Sequence, residues 1–197
     1  MKERLNILYQ NGQNGLTPAV SASGLLNAVA RKWITIEDAV EIIGTDKSAE
    51  VIRAAKVAEI SAACNAVIVS GIDLELADGP VHFNLSIEDQ SNIANLFRVV
   101  ELGGTEFPYQ ADGGVCRIYN AQEIAQIYIA AQTAITTQTT YHNALKAYVQ
   151  GLDDVEQIAA VQYGMTLPDP YASEVAEKLS VAQTQMNAIV ARLGGNA

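Results

Sequence analysis

Cys116 and the two histidines, His82 and His142, are the residues of this 197-residue chain with the most chemistry to offer. Cys116 lies in the stretch YQADGGVCRIYNAQE (109–123), after a tight Asp-Gly-Gly turn and before a helix start. A nucleophilic cysteine needs a base and an electropositive setting to lower its pKa. Arg117 is adjacent, but neighbours on a strand point to opposite faces. The alternation puts Val115, Arg117 and Tyr119 on one face and Cys116 and Ile118 on the other, which reads as the buried one. Cys116 is therefore expected to be a small apolar core residue. His82 falls on the polar side of a strand, and His142 sits mid-helix in TTYHNAL. Neither has a second ligand three or four residues away, so a metal would have to gather His82, Asp112, Cys116 and His142 from separate segments. No nucleophile-elbow motif accompanies the serines. The glycines of ADGG and LGG lack the Lys-Ser or Lys-Thr of a phosphate loop. The expectation is a protein without catalytic residues, metal or cofactor.

The totals point the same way. Twelve Lys and Arg against 22 Asp and Glu give a net charge of −10, which leaves no basic stripe to displace counterions from nucleic acid or to meet an anionic membrane. Two distant cysteines, Cys64 and Cys116, make no disulfide framework. The charged start MKERLNILYQNG has no apolar stretch of secretory type behind it. An apolar share of 49% with only 6% aromatic residues suits alanine-rich helices packed close together.

The elements that would position these residues can be read from caps and periodicity. Residues 2–10 form a weak first helix ended by NGQNG. Thr17 before Pro18 predicts the N-terminus of a second helix running to about Trp33. Thr35 with Asp38 caps a third that stops at Gly44. Ser48 starts a long helix closed by Gly71. Ile72, Leu74 and Leu76, then Val81, Phe83 and Leu85, alternate on either side of ADGP and predict a β-hairpin. Ser86 with Asp89 opens the next helix, closed by Gly103. A second hairpin spans TEFPYQ and VCRIY, and Asn120 with Glu123 caps a helix from 121 to about 150. The last helix, about 171–193, carries Ala172, Val175, Leu179, Ala182, Met186, Ile189 and Leu193 in a 3-4 stepping typical of a coiled-coil seam.

This pattern predicts a mainly α protein with small β-hairpins (α+β), its long helices packed as a bundle or coiled coil. Three regions follow: a short-helix docking segment (1–46), a helix-hairpin-helix-hairpin-long helix body (47–151), and a linker with the heptad helix (152–197). The apolar residues of the first region outnumber what three short helices can cover. Leu25, Val29, Trp33, Ile36 and Ile43 are therefore candidate contacts to a neighbouring subunit. Leu179, Met186, Ile189 and Leu193 are the candidates on the last helix. The seam composition does not enforce a dimer, so a homo-oligomer, with a trimer as the working number, is expected. Folding of the same helix back along the 121–150 rod is the competing expectation.

Two segments are familiar. LLNAVARKWITIEDAVEIIG resembles the short XkdX-type proteins of phage tail gene clusters, which pair a helix with a W-I-T-x-E-[DE] turn and end in I-x-G. From 47 to about 168, AAKVAEISAACNAVIVSGIDL, VHFNLSIEDQSNIANL, PYQADGGVCRIYNAQEI, TTYHNALKAYV and YGMTLP follow in order. Together they resemble a domain of unknown function recurring in tail-fibre and other tail-associated proteins. Gln110 stands where that pattern has a histidine, in Y-H-A-D-G. The resemblance implies a structural virion component at a tail tip, baseplate or fibre attachment, assembled in the host cytoplasm, with other tail or baseplate proteins as partners. A fibre-assembly chaperone not retained in the virion is the first alternative, and a hydrolase or cell-wall-acting enzyme the second.

Overall fold

The computed structural model describes residues 1–194. Its elements, in chain order, are α1 (Lys2–Gln13), α2 (Ala22–Ala30), α3 (Ile36–Ile43), α4 (Ser48–Val69), β1 (Ile72–Leu76), β2 (Gly79–Phe83), α5 (Ile87–Glu101), β3 (Glu106–Tyr109), β4 (Arg117–Asn120), α6 (Ala121–Gln150), α7 (Val155–Ala160) and α8 (Tyr171–Gly194). The protein is mainly helical, with two small antiparallel hairpins, as the sequence pattern predicts. Among the described residues no helix is long and apolar enough to cross a membrane.

The chain divides into two compact units, residues 1–63 with 142–171 and residues 64–141 with 172–197. These differ from the three regions expected from the sequence, because the long helices α4 and α6 each contribute residues to both units. In the first unit, Arg53 of α4 donates from Nη2 to the Leu152 carbonyl at 2.7 Å, fastening the start of α4 to the turn after α6.

Local chemistry accounts for most helix ends. Thr35 with Asp38 and Ser86 with Asp89 form reciprocal capping boxes, and Asn120 with Glu123 exchanges the same two bonds at 2.9 Å each. The second helix is the exception. It starts at Ala22 behind Ser21, whose Oγ accepts from the Gly24 N–H, and not at Thr17–Pro18. The reason is tertiary: Asn11 Nδ2 donates to the Pro18 carbonyl and the Val20 N–H to the Leu8 carbonyl, so residues 18–20 are held against α1 outside any helix.

The first three helices also cover more than expected. Leu5, Tyr9, Leu25, Ala28, Ile34, Ala39 and Ile42 close a core of their own, with Val29, Ile36 and Ile43 packed against it. Leu25 is completely buried there, so its assignment as a contact to a neighbouring chain is corrected.

In the second unit, β1 pairs with β2 from Ile72↔Phe83 to Leu76↔Gly79, and β3 with β4 from Glu106↔Asn120 to Tyr109↔Arg117. Phe83, Tyr109 and Tyr119 bring the two hairpins together, with ring centroids 6.1–6.3 Å apart. On α5 and α6, Phe97 stacks on Tyr128 at 4.0 Å. The facing of the second hairpin is opposite to the expectation. Tyr119 is buried, while Cys116 and Ile118 are exposed. Regular β4 begins only at Arg117, so the alternation does not extend back to Cys116. The interior position goes to the large Tyr119 ring, over which the Arg117 guanidinium lies at 3.7 Å.

Candidate functional site

The polar groups fall into three clusters. In the first, Asp73 and His82 are cross-strand partners, with Asp73 Oδ1 2.7 Å from His82 Nδ1 and Asn84 Oδ1 3.3 Å from Nε2. The Asp112 N–H donates to the His82 carbonyl at 2.9 Å, and Asp112 Oδ2 accepts from the Asn84 N–H at 3.0 Å, so the ADGG turn docks on the first hairpin. The hydrogen bond to Asp73, then that to Asn84 and the charge of Asp112, push the His82 pKa up. With both ring nitrogens engaged, this imidazole acts as a strut between strands.

In the second cluster, Ser61 Oγ lies 3.0 Å from His142 Nε2 but gives its own proton to the Val57 carbonyl at 2.6 Å. The imidazole must then donate, which is the wrong direction for activating a serine. Burial, then the charge of Lys146, holds the His142 pKa down. In the third, Arg117 bridges Glu123 at 3.0 Å and Asp78 at 3.3 Å, tying the first hairpin's turn to the start of α6. Burial pushes the Glu123 pKa up, but the Asn120 N–H and Arg117 outweigh it and leave the carboxyl lowered. Among the described residues no group of three or more His, Cys, Asp and Glu is placed to hold a metal ion.

The two histidines predict opposite local responses to acid. A raised folded pKa contributes stability that is complete below the ordinary histidine value of about 6.5 and is lost as pH rises through the raised value. A lowered one contributes stability that is present above about 6.5 and is lost as pH falls through the lowered value. Acidification from neutral pH is therefore expected to increase amide protection in β1 and β2 and to decrease it around Ser61. Both responses are readable by hydrogen exchange. Asp73→Asn should flatten only the first. The His82 pair is open to solvent, so its effect is small.

The cysteines predict a clean difference in labelling. Cys116 is exposed and Cys64 is buried, its Sγ 3.6 Å from the Gln138 carbonyl. One thiol is expected to react at once in the native protein and the other only after unfolding. Cys116→Ser should change stability by no more than about 0.5 kcal/mol, the usual range for a surface position.

A family model described as "Domain of unknown function (DUF4376)" matches residues 51–163. The chain belongs to this family. No curated protein and no solved structure matches it. The DUF4376 segment contains all three polar clusters, whereas α1, α2, α3 and α8 lie outside it. Every candidate interaction residue named from the sequence falls in those flanking elements, except Trp33, which lies in the turn between α2 and α3.

On the N-terminal side of the DUF4376 segment, Val29, Ile36 and Ile43 are half-buried and Trp33 is 53% exposed. The corner that presents Trp33 was not visible in the sequence. The Lys32 N–H bonds to the Val29 carbonyl at 2.8 Å and the Trp33 N–H to the Ala28 carbonyl at 2.9 Å, the two bonds of a Schellman turn. The residue that must be left-handed there is Lys32, at φ 58°, where glycine is usual. An L-residue in that conformation costs about 1–2 kcal/mol. Arg31 Cζ lies 5.2 Å from the centre of the Trp33 ring.

On the C-terminal side, no described side chain of α8 is buried, and Leu179, Met186 and Ile189 are half-buried. Leu179, Ala182 and Met186 share a shallow groove with Thr133, Thr136 and Thr137 of α6, and Arg192 Nη2 reaches Glu101 at 2.7 Å. The helix thus meets α6 of its own chain around Thr133–Thr137, with its stripe partly open. The side chain of Leu193 lies outside the described residues.

Proposed function

We propose that this protein is a structural component of a bacteriophage or phage-like tail, at the tail tip, baseplate or fibre attachment. It acts by protein–protein assembly, with other tail proteins and further copies of itself as partners, and without catalysis or cofactor. The observation that carries this reading is α8, 24 residues long with its apolar stripe only half covered. Helices in water draw most of their stability from burying such a face, and a helix left half open has a partner surface to offer. The resemblance of residues 25–44 to XkdX-type proteins, and of residues 47 to about 168 to a domain recurring in tail-associated proteins, supports the same reading.

Mass spectrometry of purified particles from the phage or prophage that encodes the chain is the test. Peptides of the protein should co-purify with tails at stoichiometric yield. Peptides present in the lysate and absent from particles would point instead to a fibre-assembly chaperone. For the α8 surface, Leu179→Asp combined with Ile189→Asp is expected to remove the chain from its native oligomer in light scattering. An unchanged oligomer with lower thermal stability would show that the stripe serves its own chain alone.

A further inference from the structure

Lys32 occupies the one position of its turn where glycine would be free of strain, and it presents a cation beside an exposed indole. Strain kept at a surface corner is a pointer to function, and Trp and Arg are among the residues enriched at the energetic centres of interfaces. Six of the chain's basic residues, Lys2, Arg53, Lys56, Arg117, Lys178 and Arg192, hold carboxylates in ion pairs. Among the described residues Arg31 and Lys32, like Arg4, Lys47, Arg98 and Lys146, hold no carboxylate, and Arg31 and Lys32 are both exposed and adjacent.

The surroundings of this corner are polarised in sequence. Up to Trp33 the chain carries four cations (Lys2, Arg4, Arg31, Lys32) against one carboxylate (Glu3). From Ile34 to Glu50 it carries five carboxylates (Glu37, Asp38, Glu41, Asp46, Glu50) against one cation (Lys47). Lys2 neutralises part of this by holding Asp38 at 2.9 Å and Glu41 at 2.6 Å. Asp46 and Glu50, at the junction of α3 and α4, are exposed and form no ion pair among the described residues.

We infer that the Arg31–Lys32–Trp33 corner docks on the acidic α3–α4 junction of a second copy of this chain. The occupant follows from charge: the corner is basic in a chain whose net charge is −10, and one small module carries both the donor corner and a matching carboxylate pair. A contact between two different patches is head-to-tail, and it propagates to rings or filaments according to the rotation between copies. This deepens the assembly reading and rests on it.

Trp33 is the only tryptophan, so the indole reports its own burial. Emission and light-scattering mass of the full chain should be followed together over a concentration series. A blue shift rising in step with mass, and reversed by salt, is expected. Arg31→Glu with Lys32→Glu should abolish both signals, as should Asp46→Lys with Glu50→Lys, and an equimolar mixture of the two variants should restore them. Lys32→Gly separates contact from folding, because it should raise thermal stability while weakening association. Mass that rises with no change in emission would overturn this contact and leave self-assembly through another face. A chain that stays monomeric throughout would overturn the self-contact, while particle mass spectrometry continues to decide the tail assignment.

Discussion

Tyr119→Ala is expected to lower stability by about 3–5 kcal/mol, the usual cost of deleting a buried aromatic ring. The ring is 1% exposed and makes edge contacts with Phe83 at 6.2 Å and Tyr109 at 6.3 Å. It therefore belongs to the core of both hairpins at once. The Arg117 guanidinium above it also bridges Asp78 and Glu123. Removing the ring takes away the platform that keeps Arg117 on both carboxylates. Tyr119→Phe keeps the platform and should lose only about 1 kcal/mol, the typical net worth of a hydroxyl hydrogen bond. Urea unfolding of the two variants side by side checks the difference. Equal losses would mean that the hydroxyl and not the ring is what the hairpins need.

Gly71→Ala is the second large effect, and Gly103→Ala is its control. Both glycines have left-handed backbones, at φ 88° and 92°. Either alanine should incur the strain of that conformation, about 1–2 kcal/mol. At Gly103 nothing lies near the added carbon, so the loss should stop there. At Gly71 the carbon would overlap the backbone carbonyl of Phe83, which cannot move without breaking the β1–β2 pairing. Overpacking of this kind adds about 1–3 kcal/mol. The prediction is a clear gap between the two variants in melting temperature, with loss of amide protection at Phe83 confined to Gly71→Ala.

What the sequence made legible was local. The pairs Thr35 with Asp38, Ser86 with Asp89 and Asn120 with Glu123 announce helix starts because both partners lie within one turn. The start of α2 was not legible, because Thr17–Pro18 looks like a cap until Asn11 and Leu8 claim the backbone of residues 18–20. Cys116 was placed inside by extending a strand alternation beyond the point where the strand begins. No local pattern could show that Asp78, 39 residues before Arg117, draws that side chain over Tyr119. Among the candidate contacts, Trp33 is named only as one of an excess of apolar residues over what three short helices can cover. The turn that presents it depends on Lys32 taking a conformation usually reserved for glycine, which its identity hides. Leu25 was chosen by the same apolar criterion and lies at the centre of the short-helix core.

The interleaving of the two compact units bears on how the chain is made. The first unit needs residues 142–171 to complete it, so it stays unfinished while the intervening segment leaves the ribosome. At about 5–20 residues per second, that interval is about 4–16 s. The core of α1, α2 and α3 draws its buried residues from 5–42, with Ile43 packed against it, and can close early in that window. The apolar faces of α4 stand open until the end of α6 arrives. Nascent chains on one polysome would then display these faces side by side, and slowing elongation should raise the aggregated fraction of newly made protein.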